Sequence, residues 1–150
     1  MEIRLESPDQ PEVLALIDAL DAFQMPLYPA ESHHGIDLDA LLQPNVRFAV
    51  ARDADGTALG CGAIVLGPDH GEIKRMYVSP VARGRGLGRQ LLAFLEQAAS
   101  AEGCRCFVLE TGYLQTEAIG LYAASGYAHG GPFGDYLEDP NSVFMVKRIG

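Results

Sequence analysis

The stretch Met76-Tyr77-Val78-Ser79-Pro80-Val81-Ala82-Arg83-Gly84-Arg85-Gly86-Leu87-Gly88-Arg89 decides the reading of this chain. Met76-Tyr77-Val78 is an apolar run that predicts the end of a strand. Leu87, Leu91, Phe94, Leu95 and Ala98 then recur at helical spacing. Between strand and helix, Gly84, Gly86 and Gly88 let the backbone turn tightly and come close to a ligand. The helix would point its free N–H groups and positive dipole end at that ligand. Arg83, Arg85 and Arg89 add positive charge. Strand, Gly/Arg loop and helix N-terminus together predict a diphosphate cradle. The bland alternative is a glycine-shaped turn with solvated arginines.

The spacing narrows the choice of diphosphate. The loop lacks the Lys-Ser/Thr pair of a P-loop, so nucleoside triphosphate hydrolysis is poorly supported. It reads G-x-G-x-G rather than G-x-G-x-x-G, which argues against a dinucleotide site. The chain of 150 residues carries a net charge of −9, so a long polyanion or an anionic membrane surface is an unsuitable main partner. Yet Lys74, Arg75, Arg83, Arg85 and Arg89 are five of its 11 basic residues. A local basic site on an acidic protein suits a small anionic ligand.

Working outward, the length and the 48% hydrophobic content predict one soluble domain over residues 1–150. The three cysteines, Cys61, Cys104 and Cys106, are too few and too odd in number for a disulfide framework. Cys104 and Cys106 read as small hydrophobes on one side of a strand. With no signal-like N-terminus and no membrane-length apolar run, a cytoplasmic protein is expected. No metal is expected, since no ligands sit at metal-like spacing.

Glu2–Glu6 alternates as a first strand. Ser7 as cap, Pro8 at the first helical position and Gln10 closing a capping box predict a helix carrying Val13, Leu16, Ile17, Leu20 and Phe23. A short helix over Leu38–Gln43 stops before Pro44. Strands follow at Val46–Arg52, Ala58–Leu66 and Glu72–Val78, separated by the turns at 53–56 and 67–71. The helix from Gly86 to Ala101 is stopped by Gly103. A strand at Arg105–Glu110, a helix at Gln115–Ala124 and strands at Tyr127–Ala128 and Ser142–Lys147 complete the order. A three-strand meander followed by a βαβ crossover predicts an α/β (α+β) fold. Its central sheet would be mixed, mostly antiparallel and of about seven strands, with helices on both faces.

The segment from Met76 to Gly88 resembles the acetyl-CoA signature of the GNAT superfamily of N-acetyltransferases, Arg/Gln-x-x-Gly-x-Gly/Ala, at Arg83, Gly86 and Gly88. Ala118-Ile119-Gly120-Leu121-Tyr122-Ala123-Ala124-Ser125-Gly126-Tyr127 is similar to a second block of that family. There the family often begins with Asn; Gln115 holds the place, keeping the amide and adding a methylene. Leu109-Glu110-Thr111-Gly112 and Glu138-Asp139-Pro140-Asn141-Ser142-Val143-Phe144-Met145 look like a bacterial subgroup, some of whose members carry the label indole-acetic-acid acetyltransferase.

The resemblance implies an acyltransferase that moves an acetyl group from acetyl-CoA, as cosubstrate, directly to a primary amine. The acceptor would be a small molecule or a peptide or lysine amine, and the protein a possible homodimer without nucleic-acid or membrane partners. A non-catalytic CoA-binding module is the alternative. Met76, Tyr77 and Val78 would bind the pantetheine through their backbone. Arg83, Gly84, Arg85, Gly86, Leu87, Gly88 and Arg89 would bind the diphosphate, with Gln115 and Tyr122 also against the cofactor. Tyr122 is the expected general acid, approaching the cofactor sulfur. Glu72, 11 positions before Arg83, is the expected general base, with strand alternation placing it on one face with Lys74, Met76 and Val78. Glu110 is its rival, as base or as counter-ion to the amine. Tyr28, Glu31, His33, His34, Asp135 and Tyr136 are expected around the acceptor.

Overall fold

A computed structural model describes residues 1–32 and 36–150. Seven strands form one sheet in the order β1-β2-β3-β4-β5-β7-β6. They are β1 (Glu2–Leu5), β2 (Val46–Arg52), β3 (Ala58–Leu66), β4 (Gly71–Val78), β5 (Cys106–Gly112), β6 (Ala128–Gly130) and β7 (Ser142–Arg148). Every neighbouring pair is antiparallel except β4 and β5, which the crossover helix makes parallel. The helices are α1 (Pro11–Gln24), α2 (Leu38–Leu41), α3 (Leu87–Ser100) and α4 (Thr116–Ala124). This is the mixed, mostly antiparallel α/β architecture expected above.

Strand alternation sorts the core into two layers. Phe48 and Val50 of β2, with Cys61 and Ala63 of β3, pack against Val13, Leu16 and Ile17 of α1 and Leu41 of α2. Ala49, Ala51 and Ile64 face the other way, against Leu87, Leu91, Leu92 and Leu95 of α3, where Tyr122 of α4 joins them.

Three local expectations are corrected. The first long helix begins at Pro11, not Pro8. A start at Pro8 would carry Pro11 into the helix interior, where its missing N–H and its ring break the i→i−4 ladder. Ser7 instead accepts the Asp9 N–H at 3.1 Å, and Gln10 donates back to the Ser7 carbonyl at 2.8 Å. Cys104 precedes β5 rather than lying in it; its thiol donates to the Cys106 carbonyl at 3.4 Å.

The third correction concerns β4. Tyr77 pairs with Cys61 but Lys74 with Ala63, so Arg75 and Met76 share one opposing position. This bulge has Arg75 at φ +58°, in the left-handed region. It breaks the alternation. Glu72, Lys74 and Tyr77 lie on the α1 face, whereas Met76 and Val78 pack with the α3 layer. The bulge also turns β4 away from its parallel neighbour. Pairing with β5 holds only from Gly71, Glu72 and Ile73 to Phe107, Val108 and Leu109. Beyond Ile73 the sheet opens as a wedge.

Candidate active site

Two connected cavities meet at this wedge. One, of about 320 Å³, opens toward the α1 face and is walled by Asp21, Tyr28, Ile36, Lys74, Arg75, Glu110 and Asn141. The other, of about 730 Å³, lies on the α3 and α4 side and runs from Met76, Tyr77 and Val78 past Arg83, Gly84, Gly86, Gly88 and Arg89. Leu20, Met76, Gln115, Ala118 and Tyr122 line both. The path through the sheet therefore passes between β4 and α4.

The Gly/Arg loop forms one wall of the larger cavity. Gly86 caps α3 at φ +74°, with no side chain satisfying the first helical N–H groups. Gly84 is also left-handed, at φ +82°. Leu87 is buried and anchors the helix, while Arg83, Arg85 and Arg89 are exposed. Arg83 donates its Nε to the Val78 carbonyl at 3.2 Å, and its guanidinium lies 5.8 Å from the Tyr77 ring centre. Arg85 reaches the Val81 carbonyl at 3.3 Å. Across the cavity, α4 also begins without a side-chain cap, and Thr116 and Glu117 of its first turn line the groove. Two helix N-termini thus open on one space.

Gln115 explains why α4 starts uncapped. Its Oε1 turns back toward β5 and accepts from the Gly112 N–H at 3.0 Å and the Thr111 hydroxyl at 3.1 Å. The Gly112 donor requires the amide oxygen at that end, which leaves the Gln115 NH₂ away from β5. Tyr28 closes over the same turn. Its hydroxyl accepts from the Leu114 N–H at 3.1 Å, and its ring meets Tyr113 edge-on at 6.3 Å. Burial raises the Tyr28 phenol pKa, opposed by the Leu114 bond.

Tyr122 is 7% exposed, and its ring packs edge-on against Tyr127 at 5.8 Å. Among the described residues its hydroxyl has no hydrogen-bond partner. Burial pushes its phenol pKa upward. Buried hydroxyls are nearly always bonded, so an orphan at a cavity junction is a place where a ligand atom belongs.

The two candidate carboxylates separate. Glu110 faces the smaller cavity with Tyr122 and accepts from the Ser142 hydroxyl at 2.7 Å. Glu72 lies in a neighbouring groove of about 990 Å³ with Asp135 and Tyr136. Tyr136 donates to Glu72 at 2.6 Å, and Lys74 reaches Tyr136 at 2.8 Å and Glu72 at 3.3 Å. Burial first, then the Glu72 bond, raises the Tyr136 pKa. The expectations for His33 and His34, and for the Glu31 side chain, lie outside the described residues.

The model of the acetyltransferase (GNAT) family matches residues 14–127. This chain belongs to the GNAT acetyltransferase family. Over 149 residues it is 49% identical to an "IAA acetyltransferase" of Azospirillum brasilense, covering 98% of this chain and 97% of that protein. It shares 43% identity and a TM-score of 0.87 with a crystal structure from Klebsiella pneumoniae assigned as an acyl-CoA N-acyltransferase, over 98% of this chain and 96% of that one. The fold also matches that of the PaiA N-acetyltransferase of Thermoplasma acidophilum, solved in complex with coenzyme A. That match has a TM-score of 0.74 at 15% identity, over 99% of this chain and 100% of that one.

The GNAT chain is accordingly an N-acetyltransferase-family enzyme, and structures of this family bind coenzyme A. Among its described residues no group of three or more His, Cys, Asp or Glu could hold a metal ion. None of its described helices is long and apolar enough to cross a membrane. Sequence reasoning missed the roles of Asp21, Arg75 and Asn141 in the cavity walls. Asp21 sits on a helix that reads as ordinary and amphipathic. Arg75 reads as one more basic residue beside the loop.

Proposed function

We propose that this protein transfers an acetyl group from acetyl-CoA directly to a primary amine of a small-molecule or peptide acceptor. The reading is carried by the orphan Tyr122 hydroxyl, buried where the two cavities meet. The larger cavity suits the cosubstrate: an open strand edge at Met76–Val78, two uncapped helix N-termini and the exposed Arg83 and Arg89 match pantetheine amides and a diphosphate, with Arg85 in the same loop. Acetyl-CoA would supply an acetyl group activated as a thioester.

The residues divide the remaining work. Arg83, Arg85 and Arg89, with the N–H groups of the 84–88 loop, hold the diphosphate. Backbone groups of Met76, Tyr77 and Val78 align the pantetheine, and the Tyr77 or Val78 N–H polarises the thioester carbonyl. Tyr122, a phenol and so protonated at neutral pH, with burial holding its pKa higher still, delivers its proton to the departing sulfur. Glu110 receives the amine in the smaller cavity and takes its proton, directly or through water. Glu72, already bonded to Tyr136 and Lys74, orders the adjoining wall. Asp135 and Tyr136 then serve the distal part of the acceptor. The absence of a cysteine from either motif favours direct transfer over an acyl-enzyme. The chain acts as one domain.

Calorimetric titration of acetyl-CoA into the wild type and the Arg83→Ala/Arg85→Ala variant tests the cosubstrate. Micromolar binding, much weakened in the variant, is expected; no binding by folded wild-type protein overturns the reading. With an acceptor found by amine screening, Tyr122→Phe should lower kcat about 10²-fold while acetyl-CoA affinity stays constant. Glu110→Gln should reduce turnover more than Glu72→Gln. The reverse order would return the role of base to Glu72.

A further inference from the structure

Arg75 is the one non-glycine residue with positive φ among those described, at +58°. Its side chain is 10% exposed and fully engaged. Nη1 meets Asp21 Oδ1 on α1 at 2.5 Å, while Nε and Nη2 donate to the Ile36 carbonyl at 3.3 and 3.0 Å. Ile36 stands just before Asp37, the side-chain cap of α2. The Arg75 carbonyl is itself held by the buried Cys61 thiol at 3.4 Å. One residue therefore joins the bulge that parts β4 from β5 to α1 and to the chain entering α2. Asp21, Ile36 and Arg75 are all walls of the smaller cavity.

We propose that Arg75 is a positioning residue that couples the two halves of the site. The bulge sets the wedge on the cosubstrate side, and the guanidinium fork carries its position to the acceptor wall at Asp21 and Ile36. An L-residue held at positive φ is strained, and it stays there because its side chain is tied at three points. Filling the wedge fixes β4 and, through Arg75, orders the acceptor wall before any amine arrives. The inference rests on the acetyl-CoA reading above.

Hydrogen exchange with acetyl-CoA as the probe tests it without an acceptor. In the wild type, saturating acetyl-CoA should slow exchange several-fold both at 75–78 in β4 and at 36–42. Arg75→Gly accepts the left-handed backbone without strain but removes the fork. It should keep the slowing at 75–78 and lose it at 36–42, a split that a purely structural role would not produce. Asp21→Ala, which cuts the same tether from its exposed end, should reduce the second effect and keeps the test available if Arg75→Gly folds poorly. Slowing at 36–42 that persists in a folded variant overturns the coupling alone. A wild type that binds no acetyl-CoA overturns the functional reading and the coupling with it.

Discussion

Gly86 and Gly112 both border the site, and an added methyl would fail at each for a different reason. At Gly86 a Cβ would meet nothing within 4 Å, but φ is +74°. Gly86→Ala should therefore destabilise the protein by about 1 kcal/mol through backbone strain alone. Asn, which tolerates that region, should lose less. At Gly112 the φ is unremarkable for an L-residue, but a Cβ would overlap the Tyr28 phenol. Gly112→Ala should cost about 1–3 kcal/mol by displacing that ring, and should break the Tyr28 bond to the Leu114 N–H as well. Urea unfolding of both variants, with acetyl-CoA titration of each, separates the two mechanisms. Strain at Gly86 should also weaken cosubstrate binding, whereas the Gly112 defect should fall on the acceptor side.

The β5–α4 junction shows how one side chain serves two elements. Gln115 gives up capping α4 in order to accept from Thr111 and Gly112 at the end of β5. Gln115→Ala leaves both donors without that acceptor in a buried turn, a loss of about 1–3 kcal/mol. Gln115→Asn, one methylene shorter, should recover part of it. Thermal unfolding midpoints rank the three proteins, and equal midpoints would remove the role. The elements themselves were unevenly legible. Val46–Arg52 and Ala58–Leu66 could be read to the residue because alternation there is bounded by strong turn residues. The start of α1 was not, because the capping pattern of Ser7, Pro8 and Gln10 competes with the bar that Pro11 sets against a helix running through it. The β4 bulge left no mark at all. Arginine is not a residue whose presence announces a left-handed backbone, so Glu72, Lys74, Met76 and Val78 read as one face when they lie on two. The loop from Arg83 to Arg89 and Tyr122 were recoverable from motif spacing. The pairing of Glu72 with Tyr136, 64 positions away, depends on the tertiary fold alone.

Across the whole molecule, the tyrosines tie stability to alkaline pH. Tyr122, Tyr127 and Tyr136 all have phenol pKa values raised above 10.0, chiefly by burial, with Glu96 and Glu72 adding to the effect at the latter two. A folded-state pKa raised above the unfolded value gives stability that is fully present below about pH 10 and is lost as pH rises toward the folded value. With Tyr28, whose phenol burial also raises, four of the six tyrosines should thus resist ionisation in the native protein. Absorbance at about 295 nm should rise first for the accessible phenols, then in a cooperative step that coincides with loss of circular dichroism. A smooth single titration with the fold intact would contradict this.

The short β4–β5 pairing has a thermodynamic consequence. A sheet that ends its ladder after three residue pairs leaves the later backbone groups of β4 without a strand partner on the β5 side. Any molecule that occupies the wedge and completes those bonds binds the native state and not the unfolded one. It therefore raises the melting temperature, by about 2.7 kcal/mol of added stability at a hundredfold excess over its Kd. Resistance to heat and to proteolysis then becomes a gauge of how much of that molecule surrounds the protein, and its lifetime in a cell would follow the supply.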